Sequence, residues 1–519
     1  MIYKLAQLFT DKEKVRAMVI FFFVAIGAGL EVVSLATLAA LISLFLDGDP
    51  EVYKWIVEVK LLNVSNKLEL IQILGIVVVV LFLLKNIYLL MVNYILHKFI
   101  YNKYTKISTQ LLKSYIEMPY INHLQTNSSF LQRNINTEVF WVFANIMIPG
   151  VTLLTELVIV ISIVIALMYV DLVNTLIFGF SFGLVLSLTM ILIKKKMDAL
   201  GLISQNYFGE MIKSVNQSLG GIKLTKVSNS TKYFVDVFQS NVNRYSNNTS
   251  NLKNISQWPR YFIEVIVVFG IVIATIATTY GNLDSDISLV QLSFFGFAAV
   301  RLMPSFNRIT SSYTNIRYYS ASLDVVCNEL DNSSNIKQHS DKKQDSCITF
   351  DKDIEFKDVS FIYPETIKHS INNISFKIKK GESIALIGGS GSGKTTIVDL
   401  ICGLLEPSDG VIMADGKNIF DNLHEWRKMI SYVPQNIYLL DDSLRNNIAY
   451  GINTEDIDDN LIARVSKLAM LGDYINGLEF GYETMIGENG VKMSGGQRQR
   501  LGIARALYNN PKILILDEG

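Results

Sequence analysis

The chain predicts two joined architectures, an all-α domain of six membrane-length helices followed by an α/β domain. Three observations predict this. Long apolar runs fill the sequence before residue 325, a polar and charged stretch then interrupts them, and from residue 348 short β-rich runs bounded by turn residues take over. Half of the 519 residues are hydrophobic and the mean hydropathy is +0.31, but the placement of the apolar mass says more than its average.

The apolar runs cover 17–46, 68–96, 146–170, 172–193, 261–280 and 287–304. Crossing a hydrocarbon layer of about 30 Å takes about 20 apolar residues in a helix. Every run comes near or exceeds that length and is almost free of charge, so a transmembrane domain is predicted over 1–327. The first run is too long for the core of a cleavable leader and is expected to be retained. Basic residues set the orientation. Lys4, Lys12, Lys14 and Arg16 precede the first run, Lys98, Lys103, Lys106, Lys113 and Arg133 follow the second, and Lys194 to Lys253 supply many more after the fourth. The alternate connections are short or acidic, as at Asp47, Asp49, Glu51, Asp284 and Asp286. Positive-inside bias predicts a multi-pass protein with both termini in the cytoplasm. The formal net charge is 0, so no nucleic-acid partner is expected. Cys327, Cys347 and Cys402 have no paired spacing, which argues against a disulfide framework or a zinc site.

The polar stretch 328–347 reads as a linker, and 348–519 as the α/β domain, with strands expected at 354–362, 371–378, 383–387, 430–433 and 513–516. Gly388, Gly389, Ser390, Gly391, Ser392, Gly393, Lys394 and Thr395 form a G-x-x-x-x-G-K-T loop between an expected strand and a helix-compatible stretch that begins at Thr396. Successive backbone N–H groups in such a loop curl around phosphate oxygens, and the helix N-terminus adds a favourable dipole. ATP is therefore the expected ligand, with Lys394 reaching the β/γ-phosphates, Thr396 beside them, and the Thr395 hydroxyl on Mg²⁺. The domain is accordingly an α/β P-loop NTPase. The aliphatic run 513–516 ends in Asp517 and Glu518. Carboxylates at the carboxyl end of a buried strand sit where open α/β sheets bind ligands. Asp517 is expected to hold Mg²⁺ and Glu518 to polarise the attacking water as general base.

The run Met493-Ser494-Gly495-Gly496-Gln497-Arg498 carries a resemblance: it matches the signature of ATP-binding cassette (ABC) transporters of the exporter type. The resemblance implies that Ser494, Gly495, Gly496 and Gln497 contact ATP held by the phosphate loop of a second cassette. It implies too that Tyr363 stacks on adenine and that Gln435 senses Mg²⁺ and the attacking water. Glu488 would couple the cassette to the membrane domain. A packing role for Tyr363 and a solvated surface role for Glu488 stay open. One set of membrane helices with one cassette is half a transporter, so the expected partner is a second copy, as a homodimer. The helix tips expected to dock on the cassettes fall near 120–125 and 227–231. In this family more sequence follows Asp-Glu, including a histidine that contacts phosphate. Here Gly519 is the last residue and His424 the last histidine. The sequence is thus expected to be part of a longer reading frame, its ATPase domain incomplete.

Lys85, Arg260 and Arg301 lie within or at the edge of the apolar runs. A cation at mid-helix costs about 2.5–3.5 kcal/mol on insertion scales, so each should face protein or water. A cationic ring for an anionic lipid headgroup accounts for them, and so does local pairing (Arg260 with Glu264) or snorkelling. The segment 300–324 resembles the sixth-helix region of bacterial lipid-linked oligosaccharide flippases of protein N-glycosylation, and the surroundings of Lys85 and Arg260 fall where those proteins have basic cavity residues. That resemblance implies ATP-driven flipping of a polyprenyl-pyrophosphate-linked oligosaccharide across the bacterial inner membrane. An exporter of another lipid, drug or peptide is the alternative within the class. A non-hydrolytic membrane regulator is the alternative outside it.

Overall fold

The computed structural model describes residues 1–45, 67–170, 172–280, 285–340, 348–364, 366–487 and 490–517. They divide into two compact units. One comprises Met1–Glu117 with Thr126–Asn335, and the other Met118–Gln125 with Ile336–Gly519.

The first unit is helical throughout its described residues. Long apolar runs become helices because only a helix satisfies every backbone group within its own segment where water is absent. Asp11–Phe45, Lys67–Glu117, Ile148–Val170, Leu172–Gly220, Thr231–Tyr280 and Ser285–Tyr318 hold the six predicted runs among the described residues. By length and composition, three stretches of these could cross a membrane: Asp11–Ser34, Ile71–Glu117 and Ser128–Ile165. The predicted count of six spans is therefore not established by the described residues. Lys67–Glu117 packs along Asp11–Phe45, Ile148–Val170 along Ser285–Tyr318, and Leu172–Gly220 along Thr231–Tyr280. Ile76, Leu83, Leu84, Ile87, Leu90 and Met91 stay exposed along one helix, as an apolar solvent around the bundle would require.

Polar groups tie this unit together where the apolar runs end. Glu13 accepts from Lys103 at 2.5 Å and Lys106 at 2.9 Å. Between Ser128 and Val170 the helix widens into π-type turns at Asn134–Glu138 and Phe143–Met147. Such bulges insert a residue into the helical ladder and re-aim the side chains beyond it. Here they bury Glu138 completely against Arg133, 3.1 Å away. A second pair, Glu156 to Arg308 at 2.5 Å, joins Ile148–Val170 to Ser285–Tyr318. Arg317 pairs with Asp198 beside Gly201, where a Cβ would collide with the Tyr318 carbonyl. The Ser320–Ser340 helix carries the chain into the predicted linker, and 341–347 lie outside the described residues.

The second unit contains two sheets. Strands β1 (Asp353–Phe361), β2 (Ile371–Lys379), β3 (Asp409–Ala414) and β4 (Lys417–Asn418) form an antiparallel sheet in the order β2-β1-β3-β4. Strands β5 (Ile430–Val433) and β6 (Ile513–Leu516) pair in parallel. Four of the five predicted strands are present. Sequence patterning missed β3 and β4, whose Asp415-Gly416 turn, with φ of 50° and 81°, has the residues a tight hairpin favours. The fifth prediction needs correction. Residues 383–387 form no strand among the described residues, and Ile387 is 93% exposed. A strand exists only by pairing its backbone with a neighbour, and no described strand lies beside this run.

One core joins the sheets to the helix after the phosphate loop. Phe356, Val359, Leu400, Ile412 and Trp426 are among its most buried members, and Ile513 and Ile515 pack against it from β6. The Trp426 indole donates to the Ile401 carbonyl at 2.7 Å. The short helix Tyr120–Gln125, the first expected docking tip, belongs to this unit and rests on the same core through Ile121. The second expected tip, near 227–231, lies within the first unit.

Candidate functional site

Chain direction through 388–395 is set by glycines in conformations that L side chains avoid. Gly391 and Gly393 have φ of 79° and 91°, and a Cβ on Gly393 would come within 2.9 Å of the Ser370 carbonyl. Helix Lys394–Ile401 starts immediately after Gly393, so its free N–H groups open onto the loop. The Lys394 ammonium folds back to donate to the carbonyls of Gly388 at 2.8 Å and Gly389 at 2.9 Å. Residues 388–392 and Thr395 are exposed. A cation, a ring of backbone donors and a helix N-terminus are thus presented together to solvent.

The residues flanking the loop are less uniform. Thr396 is buried, and its hydroxyl lies 3.3 Å from the Tyr363 hydroxyl and 3.1 Å from that of Ser370. Tyr363 is half-buried and meets Phe361 edge-on, with ring centroids 4.9 Å apart. It is therefore held against the loop helix by both its ring and its hydroxyl.

Asp517 closes the site from β6. Its amide donates to the Val433 carbonyl at 3.0 Å, and its carboxylate accepts from the Tyr432 hydroxyl at 3.0 Å. Burial, and then the bond to Asp517, push the Tyr432 phenol upward, so it stays a donor. Asp399 lies one turn beyond Thr395 on the loop helix and is buried. Burial first, and the negative charge of Asp517 second, push its carboxyl up to about 6. Gln435 is exposed just past β5. A hydroxyl, a carboxylate and an amide carbonyl are the oxygen donors that a hard divalent cation takes, so these residues fit Mg²⁺. Sequence patterning missed Asp399 and Tyr432. An acid inside an otherwise apolar helix stretch was the available signal for the first.

Ser494 caps helix Gly495–Tyr508 in a reciprocal box. Its hydroxyl accepts from the Gln497 amide at 3.3 Å, while the Gln497 side chain accepts from the Ser494 amide at 2.7 Å. A Cβ on Gly495 or Gly496 would meet nothing within 4 Å. Among the described residues of this unit, none packs close enough to require glycine there. Further along, Arg505 donates to the Asn447 carbonyl at 2.8 Å and the Tyr438 carbonyl at 2.7 Å. A Cβ on Gly502 would come within 2.6 Å of Ile437. The signature helix is thereby fixed to the loop that follows Gln435.

The remaining predicted residues are scattered. Glu518 and Glu488 lie outside the described residues. Lys85 is buried, its ammonium 4.4 Å from the Phe82 ring centroid. Arg260 is exposed, and among the described residues it forms no ion pair with Glu264. The helix Ser285–Tyr318 contains Arg301, whose side chain lies outside the described residues. Glu156 and its partner Arg308 were not anticipated, although a lone acid in an apolar run demands a partner.

A phosphate loop, a strand-end carboxylate and a capped Ser-Gly-Gly-Gln helix start thus lie on one α/β unit, and the chain joins it to long apolar helices. Residues 371–519 match the family model described as ABC transporter. Over most of its length the chain has the fold of an ABC exporter: it superposes on a bacterial Atm1-family ABC exporter with ATP bound with a TM-score of 0.75 at 20% identity, covering 97% of this chain and 85% of that one. Among curated proteins it is 32% identical over 335 residues to the ATP-dependent lipid A-core flippase of Yersinia pestis bv. Antiqua (strain Antiqua). It is 30% identical over 335 residues to the flippase of that name in Escherichia coli (strain K12). Each alignment covers 64% of this chain and 57% of the relative. The chain thus spans little more than half the length of these relatives.

Proposed function

We propose that this chain is one half of an ATP-driven exporter of a bacterial inner membrane, and that it flips an anionic, glycan-bearing lipid from the cytoplasmic to the outer leaflet. The observation that carries the proposal is the phosphate loop joined in one chain to membrane-length apolar helices. In this mechanism the loop amides and Lys394 bind the ATP phosphates, and Tyr363 lies against adenine. Thr395, Gln435 and Asp517 would hold Mg²⁺, which would supply neutralisation of phosphate charge. Glu518 polarises the attacking water, a role that typically contributes about 10²–10⁴-fold. Ser494 and its neighbours bond the γ-phosphate of ATP on a second copy, a role consistent with the room around Gly495 and Gly496 among the described residues. Six spans per copy, a domain boundary within 328–347 and a cytoplasmic cassette complete the arrangement.

For the substrate, we infer a polyprenyl-pyrophosphate-linked oligosaccharide, with Lys85, Arg260 and Arg301 drawing the headgroup. The exposed Arg260, which forms no ion pair with Glu264 among the described residues, supports this. Lys85 supports it less, since its ammonium is covered by Phe82. A lipid A-core type of glycolipid is the second reading, favoured by the names of the curated relatives. Both are phosphorylated lipids bearing sugars. The test is flipping in proteoliposomes with each lipid class, by the unaltered protein and by an Arg260→Ala/Arg301→Ala double variant. We expect ATP-dependent flipping of the pyrophosphate lipid, reduced at least tenfold in the variant while ATP hydrolysis persists. Undiminished flipping by the variant would remove the headgroup role, and flipping of the lipid A-core class alone would replace the substrate.

A further inference from the structure

Tyr432 stands on β5 opposite Ile515 of β6 in the parallel register. Side chains alternate along a strand, so Ile515 and Asp517 share a face and Tyr432 lies diagonally beside Asp517. Its hydroxyl reaches the Asp517 Oδ2 atom at 3.0 Å. Its surface is 36% exposed, whereas neighbouring Ser431 and Val433 are the buried positions of the strand.

We propose that Tyr432 is a positioning residue for the divalent cation, acting through Asp517; this rests on the assignment of Asp517 as a Mg²⁺ ligand. A carboxylate at a strand end rotates about two side-chain bonds. The Asp517 amide is anchored to Val433, but that fixes the backbone and not the carboxyl plane. The phenol fixes the plane by engaging one oxygen and leaves the other, Oδ1, to the metal. Buried Asp399 makes this orientation more demanding, because its carboxyl lies near enough to feel the charge of Asp517. Without the hydroxyl, the carboxylate loses the donor that Tyr432 supplies from β5. Phenylalanine keeps the ring and removes only the donor, so the hydroxyl can be tested apart from packing.

The experiment compares Tyr432→Phe with the unaltered protein in lipid nanodiscs. Two affinities are measured by calorimetry, for ATP with excess Mg²⁺ and for ATP in EDTA, together with Mn²⁺ affinity of the nucleotide complex by electron paramagnetic resonance. A hydrogen bond to a charged group is worth about tenfold in affinity. We expect the variant to bind Mg·ATP and Mn²⁺ about tenfold more weakly, with unchanged affinity for metal-free ATP and a melting temperature lower by only a few degrees. Equal metal affinities in the two proteins overturn the proposal. So does an equal loss for metal-free and metal-bound ATP, which would make the hydroxyl a support of the fold. If the unaltered protein binds ATP identically with and without metal, the assignment of Asp517 fails instead, and the comparison separates that outcome from the first.

Discussion

Ser494 has two distinguishable jobs, and one set of variants separates them. Within the chain it caps helix Gly495–Tyr508 through a hydroxyl bond to the Gln497 amide at 3.3 Å. Replacing a Ser cap by Ala costs about 1 kcal/mol, whereas Asp caps as well as Ser and suits the helix dipole. In a domain of this size about 1 kcal/mol moves the melting temperature by about 2–4 °C, far too little to unfold it. In the proposed dimer, the same hydroxyl bonds a γ-phosphate. A bond to a charged group is worth about 1.5–3 kcal/mol, or roughly 10–150-fold in the step that needs the closed sandwich. Stability should therefore rank Ser and Asp together above Ala, while ATP hydrolysis should rank Ser above Ala above Asp, because a carboxylate there repels phosphate. Scanning calorimetry and steady-state hydrolysis on Ser494→Ala and Ser494→Asp decide it. Should hydrolysis follow the stability ranking, or Ser494→Asp hydrolyse ATP at the unaltered rate, the trans-phosphate role would be refuted.

Two further outcomes follow from the fold. Burial tends to raise the Asp415 carboxyl, but the amides of Asp351, Lys352 and Asp353 and the Thr349 hydroxyl outweigh it and hold it at about 2. A depressed carboxylate adds stability that is complete above the ordinary value of about 3.9 and fades as pH falls toward 2. Asp415→Asn, which keeps the left-handed turn, should lower the melting temperature at pH 7 and flatten its decline between about pH 4 and 2; parallel pH profiles would contradict this. In the helical unit, Gly201→Ala drives a Cβ into the Tyr318 backbone, for about 1–3 kcal/mol of overpacking. Gly150→Ala meets nothing within 4 Å, and should be neutral or stabilising through helix propensity. Equal melting temperatures for the two variants would show that the helices do not cross that closely.

Local patterns were legible wherever chemistry is written in consecutive residues. The glycine loop, the strand-end aspartate and the Ser-Gly-Gly-Gln helix start are each one segment, and β5 and β6 have the predicted bounds. The apolar runs were legible for the same reason, since a helix closes its own hydrogen bonds. What depended on partners far along the chain was not. Residues 383–387 have the composition of a strand, yet composition supplies no neighbour to pair with, and the run remains exposed. The pairs Glu156–Arg308 and Arg133–Glu138 depend on helix crossings and π-type turns that place ionic partners within 3.1 Å. Tertiary structure alone decided that Thr396 turns inward toward Tyr363, that Asp399 lies within electrostatic reach of Asp517, and that Tyr432 reaches the strand-end carboxylate. Side-chain direction at such sites is set by parallel register and by helix packing, which couple residues 33 positions apart at Tyr363 and Thr396 and 85 apart at Tyr432 and Asp517, and leave no periodic trace in either segment.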